Sequence, residues 1–253
     1  MNALAPAALH FKLGRCFLGA AAAASGVLQL LTGDFVRLMP KWPDWAPGHA
    51  AWAYLTGLVL VVAGLAILSG RRATAAAAVL GAMLVLVLLC WHLPQSLAVP
   101  GMERPWLRGF MWTNPLKTLA LAGGAALAGG RFRNAAPVLL ALFLVVCGLQ
   151  HFVYSEFVVT LVPSWIPGRR FWTYFTGLAL IAGGSGLLVP RTVRLAATLS
   201  ALMIFLWVLM LHVPRAVTGP ERANEAAGAM EALALSGVAL LVAASRAGGT
   251  PRA

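Results

Sequence analysis

The sequence predicts an all-α integral membrane protein with eight transmembrane helices arranged as two parallel four-helix bundles. Composition is the first of three observations behind this. Apolar residues make up 60% of the chain and charged residues 10%, whereas a soluble globular domain is about a quarter charged. The second is a series of eight apolar runs, each close to the roughly 20 residues that a helix needs to cross about 30 Å of hydrocarbon. None alternates with the period of two that a membrane strand requires. The third is an internal repeat. PDWAPGHAAWAYLTG (Pro43 to Gly57) returns 120 positions later as PSWIPGRRFWTYFTG (Pro163 to Gly177), with eight identities in fifteen and no gap. His92-Leu93-Pro94 recurs at the same offset as His212-Val213-Pro214. The chain is a tandem duplication of one unit over residues 1–130 and a second over 131–253.

Taken in order, the first fourteen residues carry one lysine and no clean cleavage site, so the first run, 15–34, reads as a retained helix and not as a signal peptide. The further runs are 49–69, 73–92, 113–130, 135–156, 170–189, 194–212 and 227–245. The connections alternate in character. Gly70-Arg71-Arg72, Arg131 to Asn134 and Pro190 to Arg194 are short and basic, and with the two termini they hold ten Lys or Arg and no acid. The opposite side holds nine Lys or Arg together with all seven acids. Basic charges at the helix ends of short loops set orientation, which puts both termini on the cytoplasmic side. The net charge of +12 does not indicate nucleic acid, because the basic residues sit in pairs between apolar runs and build no stripe.

Aromatic residues mark the outer side. Trp42, Trp45, Trp52, Trp165, Trp172, Tyr54 and Tyr174 all fall in outer loops or outer helix ends. They read either as an interfacial belt or, since the inner side has no Trp or Tyr, as walls of an outer vestibule. Each Pro-x-Trp-x-Pro is stiff and cannot continue a helix. Its Trp45 or Trp165 is either a plug that packs the loop onto the bundle or one wall of a ligand site.

Polar groups gather at this level in both halves. The second half offers a ligand-binding set of His151, Glu156, Trp165, Trp172, Tyr174, Thr176 and His212. A second set in the first half comprises Gln29, Asp34, Trp45, Trp52, Tyr54, Thr56 and His92. Ionisable groups at membrane depth are costly and point to function. His92 and His212, each two residues before a proline, read equally as caps at helix ends. His151 lies more than a turn inside its helix, and the first half has the non-titrating Gln29 in its place. Lys117 and Glu231 occupy repeat-related positions of opposite sign, which suits an ion pair between the fourth and eighth helices; the alternative is that each snorkels to the interface. No metal is expected, since only His151 with His212 comes near the pattern that metal or haem needs. Cys16, Cys90 and Cys147 lie singly in apolar runs, without a C-x-x-C, and read as small buried residues.

An acid-ended first helix, a Val-Pro-x-Trp-x-Pro loop, Trp-x-Tyr-x-Thr-Gly opening the second helix, Gly-x-Leu-Leu before a basic turn and His-x-Pro ending the third resemble the DoxX/DoxD-like family of bacterial membrane proteins. HFVYSEFVVTLVPSWIPGRRFWTYFTGLALIAGGSGLLVPR carries most of the likeness, and the first half is a diverged copy. The resemblance implies four-helix membrane units. For some members it implies a subunit of thiosulfate:quinone oxidoreductase or a membrane partner of redox enzymes. The expectation is therefore a membrane subunit of a redox process that binds a lipophilic small molecule of the quinone class, beside a redox partner protein. A small-molecule or lipid transporter, or a scaffold without ligand, are the competing expectations.

Overall fold

The computed structural model describes residues 4–35, 42, 46–98, 101–104, 108–219 and 222–246. Trp45, with Pro43, Asp44, Trp106 and Glu221, lies outside them. Eight long helices run through the described residues: α1 (Leu4–Thr32), α2 (His49–Ser69), α3 (Ala73–Leu97), α4 (Thr113–Ala128), α5 (Ala135–Val153), α6 (Arg169–Leu187), α7 (Val193–Thr218) and α8 (Arg222–Ser245). A short helix, Ser155–Leu161, follows α5, and a 3-10 turn, Gly109–Trp112, leads into α4. The described residues contain no strand.

Six of these helices, α1, α2, α3, α5, α7 and α8, are long and apolar enough to cross a membrane. The other two differ for visible reasons. α4 has 16 residues, about 24 Å of rise, and α6 opens on Arg169-Arg170 and carries Thr, Tyr, Ser and Gly. The outward faces are apolar. α7 turns Leu195, Leu199, Leu202 and Leu206 away from the bundle at 42–61% exposure. In water such a stripe forfeits about 1.5–3 kcal/mol for each leucine that could have been buried, and lipid removes that cost. The membrane-compatible helices therefore fit a bilayer as their solvent.

Packing follows a ring. Each helix lies against the next in the chain, α8 closes onto α1, and α4 crosses α8 in the middle. α1 thus packs on α2 of its own half and on α8 of the other, while α5 packs on α6 and on α4. The repeat is obeyed, because these contacts exchange when the halves are exchanged. α8 is the most enclosed of the six membrane-compatible helices, with 72% of its apolar window buried against 28–39% in the other five. The α1–α2 seam is built on Gly19 and Gly26 meeting Gly64 and Gly57, and the α5–α6 seam on Gly148 meeting Gly177 and Ala141 meeting Gly184. Without side chains in the way the backbones approach closely, which is how helices gain van der Waals contact in lipid.

Several helix ends differ from the sequence expectation. α1 begins at Leu4, not near 15, because the preceding Ala- and Leu-rich residues continue the helix. The third and seventh runs, expected to stop at their His-x-Pro, continue to Leu97 and Thr218. In both, the turn before the proline is a π-turn, Leu88–His92 and Val208–His212. A proline collides with the carbonyl four residues back and offers no N–H. One extra residue per turn shifts the bonding to Leu93 N–H with Leu88 O, and Val213 N–H with Val208 O, so the helix passes through. The fifth run breaks at Tyr154 instead of reaching 156. α2 and α6 start from Gly48 (φ 80°) and Gly168 (φ 69°), left-handed positions that glycine takes without penalty and that close the repeated Pro-x-Trp-x-Pro-Gly motif.

Arginines close the opposite, basic end. Arg15 Nη2 donates to Ile67 O at 2.7 Å, and Arg133 Nη2 to Ser245 O at 2.8 Å. A cation at a helix C-terminus satisfies orphan carbonyls and the macrodipole together.

Candidate functional site

Gln29 and His151 stand one turn beyond Gly26 and Gly148, the glycines of the two equivalent seams. The same backbone setting gives them different work. Gln29 is fully buried, and its Nε2 donates to Ala53 O at 2.8 Å and to Thr56 Oγ1 at 2.5 Å, stitching α1 to α2. The His151 ring is half-buried, and its Nδ1 lies 2.7 Å from Cys147 O in its own helix. A carbonyl can only accept, so Nδ1 carries the hydrogen and the neutral ring keeps its acceptor lone pair on Nε2. His151 and Phe152 lie over Gly177, where an added Cβ would come within 2.7 Å of the His151 Cβ and 3.0 Å of the Phe152 ring.

Beside His151, Phe152 stacks on Tyr174 with centroids 5.6 Å apart. Elsewhere on α6, Trp172 meets Phe171 and Phe175 edge-on at 5.3 and 5.6 Å. These rings are exposed, as is Trp165, which does not plug its loop. Thr176 Oγ1 donates to Trp172 O within its helix at 2.7 Å, so its lone pairs stay available. Glu156 and Arg170 form an exposed pair at 3.1 Å, worth little in free energy. His212 is elsewhere. Its Nδ1 lies 3.4 Å from Glu225 Oε2 at the start of α8, and Arg215 there donates to Leu161 O at 2.5 Å.

In the first half, Trp52 and Tyr54 are exposed and His92 is buried. Asp34 pairs with His49 at 2.9 Å on the surface. Trp42 does the packing there: it stacks on Phe35 at 5.2 Å, meets Trp91 at 4.9 Å and donates from Nε1 to Ala46 O at 2.6 Å.

Lys117 Nζ lies 2.5 Å from Glu231 Oε2 where α4 crosses α8, with side-chain exposures of 9% and 12%. Glu231 also lines a partly open cavity of about 40 Å³ between α1, α2, α3, α4 and α8. Ser25, Gln29 and Thr56 contribute its other polar wall, and Met83 and Met230 part of its apolar one. Sequence reasoning missed this cavity, as well as Arg215 and Glu225. Ser25 had a faint signal as a hydroxyl one turn before Gln29, whereas the apolar lining has no motif.

A family model described as a domain of unknown function (DUF8561) matches residues 140–247, from within α5 to just past α8. No curated protein and no solved structure matches the chain.

Proposed function

We propose that the chain is a DoxX-like membrane subunit with all eight helices in the bilayer, which binds a lipophilic small molecule of the quinone class on the α5–α6 face for a redox partner protein. The observation that carries this is His151. Its Nδ1–H is committed to Cys147 O, leaving an acceptor nitrogen without a partner among the described residues on a half-buried ring beside the exposed Phe152–Tyr174 stack. A planar aromatic head reaching this face from the lipid finds a stacking surface and one hydrogen-bond acceptor, which suits a hydroquinone hydroxyl. The cavity beside Glu231 is too small for such a ring.

Lipid and quinone extraction of the purified protein, followed by mass spectrometry, tests this reading. A stoichiometric quinone is expected in wild type and should be lost in His151→Gln, with thermal stability retained. Gln29→Ala should keep the ligand but destabilise the fold by about 1–3 kcal/mol, since it strands buried partners. A polar solute or one specific lipid in place of quinone would favour the transporter or carrier, and no bound molecule at all the scaffold.

In the proposed orientation the termini face the cytoplasm of a bacterial inner membrane, and the aromatic ends face outward. In a protein lacking its three native cysteines, one placed at Thr218 should react with an impermeant thiol reagent on intact cells, and one at Arg133 should not. The reverse labelling would overturn the orientation.

A further inference from the structure

We propose that the turns 70–72 and 129–134, at the basic end of the bundle, form a docking surface for the headgroups of anionic phospholipids. α4 ends against the start of α3: a Cβ at Gly129 would lie 3.4 Å from the Ala77 Cβ and 3.5 Å from Thr74 O, which sets the two turns side by side. Arg246, at the end of α8, joins them, its Nη2 donating to Arg133 O at 3.0 Å and to Asn134 Oδ1 at 3.3 Å. Arg71, Arg72, Arg131, Arg133 and Arg246 thus gather at one place, and no carboxylate answers them. Asp34, Glu103, Glu156 and Glu225 lie at the other end, and Glu231 is held in the α4–α8 crossing. Arg71, Arg72 and Arg131 are exposed, and their guanidinium groups make no hydrogen bond or ion pair among the described residues. The partner is therefore an anion, and the surroundings narrow its class. Phe132 stands between Arg131 and Arg133 with its ring 68% exposed and its backbone left-handed (φ 52°), a conformation that a bulky residue adopts only against steric cost. From the same surface α3 continues with Val79, Val85 and Leu86 turned outward, so the arginines sit where a lipid-compatible wall ends. The boundary between headgroups and acyl chains offers phosphate to guanidinium and hydrocarbon to the phenyl ring at one level. An acidic peptide in water would meet the charges and leave the ring wet. The repeat confines this surface to the first half. Arg72 corresponds to Thr192, whose Oγ1 donates to Gly186 O at 2.9 Å, and only Arg191 remains in that turn as a cation.

Reconstitution of the full chain in nanodiscs with equal phosphatidylglycerol and phosphatidylcholine, followed by extraction in mild detergent and mass spectrometry of the lipid that stays bound, tests this. Phosphatidylglycerol should be enriched several-fold over phosphatidylcholine in wild type, and the triple variant Arg71→Gln, Arg72→Gln, Arg131→Gln should bring the ratio close to parity. Removing the same charge at the other end, with Arg104→Gln, Arg169→Gln and Arg170→Gln, should leave the enrichment in place. Parity in wild type would overturn the proposal, and so would an enrichment that the first triple variant keeps. An equal loss in the second triple variant would overturn it too, by making net charge the cause. Binding of polyglutamate to micellar protein that retains no phosphatidylglycerol would assign the surface to an acidic protein instead. If the first triple variant does not fold, Arg131→Gln alone takes its place, and a ratio unchanged from wild type again overturns the proposal.

Discussion

Lys117→Met should lower the stability of the protein in detergent or bicelles by about 3–5 kcal/mol, the usual result of stranding one member of a buried ion pair. The side chains are 9% and 12% exposed and sit where α4 crosses α8, so neither can reach bulk water without moving a helix. Glu231→Gln should cost less, since the amide keeps an acceptor for the ammonium. The double variant should recover most of the loss, because it removes both charges and leaves side chains of similar volume. A double-mutant cycle measures the coupling directly. Additive losses would mean that the two side chains act independently, and the crossing would then owe its stability to packing alone.

What the sequence made legible follows from what is local in it. Apolar runs and the repeat are local, and they locate the helices and match α3 to α7 down to the π-turns before Pro94 and Pro214. An acid and a base at repeat-related positions inside apolar runs are also a local signal, and they are 2.5 Å apart in the structure. The order of packing is not local. That α1 lies on α8 and α5 on α4 depends on which small residues face which, and Gly14 against Gly237 looks no different in sequence from any other glycine. The helix ends were misjudged where proline was read as a stop, since a π-turn removes the clash without leaving a composition signal. For the same reason the cavity could not be read: five helices contribute to its wall, most of which is leucine and alanine. Trp165 shows the limit of motif reasoning: a stiff Pro-x-Trp-x-Pro allows either a plug or a free ring, and the ring is 64% exposed.

Gly26→Val should be strongly disruptive in the α1–α2 seam. A Cβ at Gly26 would lie 2.5 Å from Gly57 O and 2.7 Å from Val61 N, both backbone atoms of α2. Backbone cannot rotate away as a side-chain tip can, so the helices must separate. Separation also draws Ala53 O and Thr56 Oγ1 away from Gln29 Nε2, three residues further along α1. Overpacking alone costs about 1–3 kcal/mol, and leaving the buried Gln29 amide unpaired adds about 1–3 kcal/mol. Gly81→Ala provides the contrast on α3, where the nearest atoms to an added Cβ are 3.7 Å away, an ordinary contact. There only the backbone term remains, and alanine should stabilise the helix by about 0.5–1 kcal/mol. Thermal or denaturant unfolding of the two variants side by side checks the argument. Equal effects would show that the seam tolerates separation, and that glycine in this bundle marks something other than close approach.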